Sequence, residues 1–152
     1  MTDIFAKRFL VDTNILVYYF DEKSEFHDAV FSFLKKCIEK QVFIYIAQQN
    51  LIELSNVFLK DYKKNKEDIV KILSQLQREE MIKVILPLST TTGLFIEILQ
   101  GRDRNQIFDL YLAATAIDNG ITNIVTNNPK DFVNIANFKA FGLKELGGVL
   151  KI

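Results

Sequence analysis

The first acid in this chain with a position suited to chemistry is Asp12, which directly follows the short apolar run Phe9-Leu10-Val11. Apolar runs rich in branched and aromatic residues are typical of buried strands. An acid at the carboxyl end of a strand in an α/β protein lies at the edge where such folds usually bind ligands. Asp12 is therefore a candidate site residue, and other acids that reach the same edge are its candidate partners.

Asp109 is the acid that fits an ordinary surface position least well. In a helix predicted over 107–119, it shares a face with Leu112, Ala113 and Ala116. A lone buried carboxylate is costly unless a cation or hydrogen bonds compensate for the lost water. The pattern predicts a buried Asp109 that faces a cation. The alternative is an acid in the first helical turn that the helix dipole stabilises.

Two further acids, Glu53 and Asp131, follow predicted strands. Glu53 alone fits an ordinary solvated stripe on its helix. Asp131 follows Asn127-Asn128-Pro129-Lys130 and alone fits turn chemistry. Both come soon after a strand, so we expect them near the edge that holds Asp12.

Several carboxylates converging in a chain of formal net charge zero need a cation. Oxygen ligands in a chain with one Cys and one His select Mg²⁺ or Mn²⁺ rather than zinc. Mg²⁺ often completes its coordination with substrate phosphate. This chemistry favours hydrolysis of a phosphodiester, in which the metal activates water and stabilises charge on the phosphate.

The composition predicts a single domain over residues 1–152 with a substantial core, since 49% of the residues are hydrophobic. The balanced charge argues against a strongly basic nucleic-acid binder but allows a local basic patch. The lone cysteine, Cys37, permits no intrachain disulfide, is expected to be buried, and indicates an intracellular protein. No signal peptide or membrane span is predicted, so we expect a soluble cytoplasmic protein.

The elements that must position these acids alternate along the chain. Strands are predicted at 9–11, 42–46, 82–86 and 123–125, with a last one near 138–141 or 149–152. Helices are predicted at 14–20, 27–40, 49–62, 66–80, 92–100 and 107–119. Such alternation predicts an α/β fold of three layers, α/β/α, around a mainly parallel sheet of four or five strands. All carboxyl ends of those strands share one edge.

Four stretches of the chain resemble PIN-domain proteins, most closely the VapC toxin ribonucleases of VapBC toxin–antitoxin pairs. They are Phe9-Leu10-Val11-Asp12-Thr13-Asn14-Ile15-Leu16, Asn50-Leu51-Ile52-Glu53-Leu54, Asp109-Leu110-Tyr111-Leu112-Ala113-Ala114-Thr115-Ala116 and Ile124-Val125-Thr126-Asn127-Asn128-Pro129-Lys130-Asp131-Phe132. The resemblance covers nearly the whole chain in order and spacing. It implies a PIN-like fold.

By this resemblance, Asp12, Glu53 and Asp109 are metal ligands and catalytic residues, and Asp131 is the fourth acid of the site. Asn128 stands where other members have Asp, so the number of metal ions is left open. The implied cofactor is Mg²⁺ or Mn²⁺.

The resemblance also implies that Thr13, Asn14 and Thr126 orient carboxylates or water. It implies cleavage of RNA, a homodimer, and a VapB-like antitoxin that covers the groove.

Basic residues near the acids in sequence are candidate contacts to RNA phosphates, and they are Lys60, Lys63, Lys64, Lys66, Arg102 and Arg104. Their contribution would be independent of RNA sequence and sensitive to salt. The alternative is an ordinary solvated surface.

Two other functions stay open. An aspartate-phosphorylated receiver or phosphatase would use Asp12, but Asp12-Thr13-Asn14 lacks the second Asp that the phosphatase motif needs two residues on. The receiver's paired acids are also absent. A PIN-like protein that processes or binds RNA without being a toxin is the second alternative.

Overall fold

The fold, obtained as a computed structural model, is described for residues 3–102 and 106–150. Its centre is a five-stranded, wholly parallel sheet with the order β3-β2-β1-β4-β5. The strands are β1 (Leu10–Val11), β2 (Ile44–Ala47), β3 (Ile82–Ile85), β4 (Asn123–Val125) and β5 (Lys139–Phe141). The central strand is therefore the shortest and comes first in the chain.

Seven helices join and cover these strands in the described part of the chain. They are α1 (Thr13–Phe20), α2 (His27–Glu39), α3 (Gln48–Lys60), α4 (Lys66–Arg78), α5 (Thr91–Gln100), α6 (Ile107–Asp118) and α7 (Leu143–Leu150). Single turns of 3₁₀ helix lie at Ile4–Ala6 and Pro129–Phe132. The predicted three-layer α/β/α fold is confirmed.

Two apolar clusters lie on opposite faces of the sheet, because successive side chains of a strand point to opposite sides. Phe9 and Val11 belong to the cluster under α1, α2, α3 and α4. Leu10, between them in sequence, belongs to the cluster under α6. Cys37 is fully buried in the first cluster, as predicted, and burial raises the pKa of its thiol to about 12.

The last strand lies at Lys139–Phe141, so one of its two predicted positions is confirmed. The other, at 149–152, is wrong where the structure describes it, because Val149 and Leu150 are in α7. Gly147 and Gly148 have a low intrinsic helix propensity, so the sequence pattern did not predict a helix here. Packing of α7 against α2, with Leu146 buried, overrides that preference.

No helix among residues 3–102 and 106–150 is long and apolar enough to cross a membrane.

Candidate functional site

Asp12 lies where β1 ends and α1 begins, and it is 8% exposed. Its Oδ1 accepts the backbone N–H of Thr13 at 2.8 Å, which caps the helix. Its Oδ2 accepts the hydroxyl of Thr126 at 2.8 Å. Burial raises the pKa of Asp12, and the negative charges of Glu53 and Asp131 raise it further, while these two hydrogen bonds oppose the shift.

Thr126 reaches Asp12 because β4 is the neighbour of β1 and Thr126 directly follows β4. Asn14 supports both residues: its Nδ2 donates to Thr126 Oγ1 at 3.3 Å and lies 3.5 Å from Asp12 Oδ2. The Asn14 Oδ1 accepts the backbone N–H of Asn127 at 3.2 Å. Asn128 is exposed, and its backbone N–H donates a hydrogen bond to Thr126 Oγ1 at 3.1 Å. These residues together fix the Asp12 carboxylate.

Glu53 is half-buried on α3, and both of its carboxylate oxygens have partners. The Thr13 hydroxyl donates to Oε2 at 3.0 Å, and Gln49 Nε2 donates to Oε1 at 2.7 Å. The Thr13 hydroxyl oxygen also accepts a hydrogen bond from Asn50 Nδ2 at 3.0 Å, which leaves the hydroxyl proton directed toward Glu53. Asn50 is fully buried, and its Oδ1 accepts the backbone N–H of Ala47 at 3.0 Å.

Gln49 and Asn50 are site residues that the sequence did not single out. The solvated stripe that fits Glu53 alone is wrong at Asn50, which lies on the same helix face and is fully buried. A usable signal was present, because Gln49 and Asn50 precede Glu53 by four and three positions. Side chains at those spacings lie on the same helix face.

Asp109 lies in the first turn of α6 and is half-buried, so the prediction of a buried carboxylate is wrong. Its helix face is apolar as predicted, since Leu112, Ala113 and Ala116 are buried. The acid keeps some exposure because it lies in the first turn of α6, where Ile107 and Phe108 are also exposed. Thr115 is also buried, and its hydroxyl donates to the backbone carbonyl of Tyr111 in its own helix.

Burial raises the pKa of Asp109 to about 6, and the charges of Asp12, Asp131 and Glu53 add to the shift. Asp131 lies in the 3₁₀ turn Pro129–Phe132, where its Oδ1 accepts a hydrogen bond from Gln106 Nε2 at 3.1 Å. Asp12, Glu53, Asp109 and Asp131 thus act on one another electrostatically, and we call them the four-acid group. The predicted convergence of four separate segments is found in the structure.

The donor chemistry of the four-acid group fits a hard divalent cation, because its ligands are all carboxylate oxygens. No lysine or arginine of the described chain is among the groups that shift the pKa of Asp12 or Asp109. Within residues 3–102 and 106–150, no three acidic, His or Cys side chains already have the arrangement of a metal site. The group therefore has the charge and ligand type for a cation, and its side chains would need to close around one.

The candidate phosphate contacts differ in their surroundings. Lys60 and Lys63 are exposed, while Lys64 is half-buried with its Nζ 5.7 Å from the centre of the Phe58 ring. Arg102 Nη1 donates to the backbone carbonyl of Val133 at 2.7 Å, so this side chain supports a loop. Lys66 is exposed at the start of α4, and Arg104 lies outside the described residues.

Solved structures with the same fold include complexes of toxin and antitoxin proteins. VapBC2 from Rickettsia felis, bound to a promoter DNA fragment, is 24% identical, with 88% of this chain and 97% of that chain covered and a TM-score of 0.68. FitAcB from Neisseria gonorrhoeae is 17% identical, with 91% and 99% covered and a TM-score of 0.68. VapC20 from Mycobacterium tuberculosis, a toxin that cleaves the sarcin-ricin loop, is 12% identical, with 86% and 98% covered and a TM-score of 0.63.

At these identities the solved structures are evidence of a shared fold. A comparison with curated protein sequences finds no match. The family model of the PIN domain matches residues 9–137, a span that includes Asp12, Glu53, Asp109 and Asp131. By its sequence and its fold, this chain belongs to the PIN-domain family.

Proposed function

We propose that this protein is a metal-dependent endoribonuclease and the toxin of a VapBC-type toxin–antitoxin pair. The observation that carries the proposal is the four-acid group, in which burial and the charges of Glu53 and Asp131 raise the pKa of Asp12 and of Asp109 at the carboxyl edge of the sheet. Membership of the PIN family supports it. The same membership argues against a receiver or an aspartyl phosphatase.

Asp12, Glu53, Asp109 and Asp131 would hold the cation, Mg²⁺ or Mn²⁺. A bound divalent cation would activate water and stabilise charge on the scissile phosphate. The protein's part is orientation: Thr126 and the Thr13 N–H fix Asp12, and the Thr13 hydroxyl directs one oxygen of Glu53. With both carboxylates held in place, less side-chain freedom is lost when the cation and RNA bind.

The partners follow from the relatives. One neighbouring structure is a toxin–antitoxin complex from Klebsiella pneumoniae, and another is a toxin that cleaves the sarcin-ricin loop. We propose RNA as the substrate, a VapB-like antitoxin as the inhibitor, a homodimer as the assembly and the cytoplasm as the site of action. Lys60, Lys63 and Lys64 are the proposed contacts to RNA phosphates, with Arg102 a weaker candidate because it already supports a loop.

The test is cleavage of labelled RNA by the parent and by Asp12→Asn and Asp109→Asn, with Mg²⁺, with Mn²⁺ and with EDTA. Each substitution and EDTA should abolish cleavage while the circular dichroism spectrum stays unchanged. Asp28→Asn is the matched control, since Asp28 also lies in the first turn of a helix but is exposed on α2. Cleavage at the parent rate by Asp109→Asn would contradict the proposal.

The toxin role needs a second test. Expression should arrest growth, and co-expression of a small open reading frame adjacent to the gene should relieve the arrest. RNA cleavage without growth arrest would support the alternative, an RNA-processing PIN protein.

A further inference from the structure

We propose that Gln49 is a positioning residue, which fixes the Glu53 carboxylate relative to the start of α6 and so sets the separation of Glu53 from Asp109. The inference rests on the proposed function, because it concerns how the four-acid group is arranged to receive a cation.

The Gln49 side chain joins two elements that each carry an acid of the site. It lies one helical turn before Glu53, and its Nε2 donates to Glu53 Oε1 at 2.7 Å. The same nitrogen donates to the backbone carbonyl of Phe108 at 2.9 Å, across 59 positions of sequence. Phe108 directly precedes Asp109 in α6. One amide group therefore connects the Glu53 carboxylate to the backbone that carries Asp109.

The orientation of this amide follows from chemistry. Both of its partners, a carboxylate oxygen and a carbonyl oxygen, accept hydrogen bonds and cannot donate them. Exchanging the amide nitrogen and oxygen of Gln49 would place an oxygen against two oxygens, so the nitrogen must face them.

The oxygen of the same amide has no hydrogen-bond partner among the described residues. This atom, Gln49 Oε1, is buried. A buried acceptor without a donor destabilises a fold, and an apolar side chain of similar size at this position would remove that acceptor while taking the donor from Glu53 Oε1 and the Phe108 carbonyl. The position of Gln49 is therefore better explained by what its nitrogen holds than by a contribution to stability.

Glu53 needs this second contact to have a defined orientation. The Thr13 hydroxyl holds Oε2 alone, and the last torsion of a glutamate is broad when one oxygen is free. With Gln49 on Oε1, both oxygens are held and the plane of the carboxylate is set. Loss of Gln49 should leave Glu53 present but poorly oriented, which weakens cation binding.

The experiment compares Mn²⁺ binding by isothermal titration calorimetry in the parent, Gln49→Leu and Gln48→Leu, together with the melting temperature of each metal-free protein. Gln48 is the matched control because it is the adjacent, exposed residue of the same helix. Gln49→Leu should bind Mn²⁺ about 10-fold more weakly. Its metal-free melting temperature should stay within about 3 °C of the parent, and Gln48→Leu should match the parent in both measurements.

A second variant, Gln49→Asn, keeps the amide but is one methylene shorter, so it cannot reach both acceptors. It should weaken Mn²⁺ binding as Gln49→Leu does. Unchanged Mn²⁺ affinity in both variants would overturn the inference, whether or not the melting temperature falls. A parent that binds no Mn²⁺ would overturn the proposed metal site and this inference with it, which distinguishes the two failures.

Discussion

At the scale of single residues, repulsion within the four-acid group and partial burial disfavour the ionised forms of Asp12 and Asp109. Asp109 is half-buried, yet its pKa rises to about 6, because burial acts together with the charges of Asp12, Asp131 and Glu53. Asp12 is more deeply buried and its pKa is raised in the same direction, although hydrogen bonds from Thr126 and Thr13 oppose the shift. The metal-free protein therefore holds protons at this edge more tightly than the unfolded chain does.

The first prediction concerns the stability of Asp109→Asn. In the folded protein the pKa of Asp109 lies above its ordinary value of 3.8, so its ionisation lowers the free energy of unfolding. This destabilisation is absent below about pH 4, grows as pH rises, and is complete above about pH 6. Asp109→Asn removes it and should raise the free energy of unfolding of the metal-free protein by about 1 kcal/mol at neutral pH, after allowance for solvent screening. Urea unfolding in EDTA on both sides of this pH window measures the difference.

Asp28→Asn is the control for this prediction, because it removes an exposed acid from the first turn of α2. It should cost a few tenths of a kcal/mol at neutral pH through the loss of a favourable interaction with the helix dipole. A stability gain for Asp109→Asn that is equally large at low pH would show that repulsion between the acids is not its cause.

At the scale of elements, the sequence predicted best what depends on local periodicity. Short apolar runs located four of the five strands and left the fifth between two positions, of which Lys139–Phe141 is the observed one. The same reasoning did not identify Gln49, Asn50 or the half-exposed state of Asp109. Those depend on partners in other elements: Asn50 meets Thr13 across 37 positions, and Gln49 meets Phe108 across 59. A pattern within one helix shows which face a residue occupies and leaves its distant partner undetermined.

The second prediction concerns the start of α3, where the Asn50 side chain binds the backbone N–H of Ala47 and the hydroxyl of Thr13. Asn50→Ala would leave the Ala47 N–H unpaired and would remove the donor that directs the Thr13 hydroxyl toward Glu53. It should lower the free energy of unfolding by about 1–3 kcal/mol, measured by urea denaturation. Asn56→Ala, at an exposed position of the same helix, is the control and should change it by less than about 0.5 kcal/mol. Equal effects of the two substitutions would contradict this role of Asn50.

At the scale of the whole molecule, a formal net charge of zero conceals an uneven distribution. Acids from four separate segments are gathered at one edge of the sheet, and the lysines proposed to contact RNA lie at the end of α3 and beyond it. The two apolar clusters stabilise the fold from both sides of the sheet, whereas the repulsion among the acids is confined to this edge. A cation that binds there should stabilise the entire domain.

The third prediction is that Mg²⁺ or Mn²⁺ raises the melting temperature of the parent and that EDTA reverses the rise. A ligand that binds only the folded state at about 100 times its Kd adds about 2.7 kcal/mol. Asp12→Asn should lose most of this gain, because Asp12 is the acid held at the centre of the sheet edge. Differential scanning calorimetry measures the shift, and a parent whose melting temperature is the same with Mg²⁺ and with EDTA would contradict the prediction.

The position of β1 at the centre of the sheet also has a consequence for biosynthesis. The ribosome makes Asp12 early, but the Thr126 hydroxyl that holds it comes 114 positions later. Both strands that flank β1 must be made before it can pair on both sides, and β4 is one of the last elements of the chain. A nascent chain therefore carries Asp12 without this hydrogen bond until Thr126 has been made. If the protein is the toxin proposed above, a nascent chain cannot be active before Thr126 has been made, which leaves an interval in which an inhibitor can already be present.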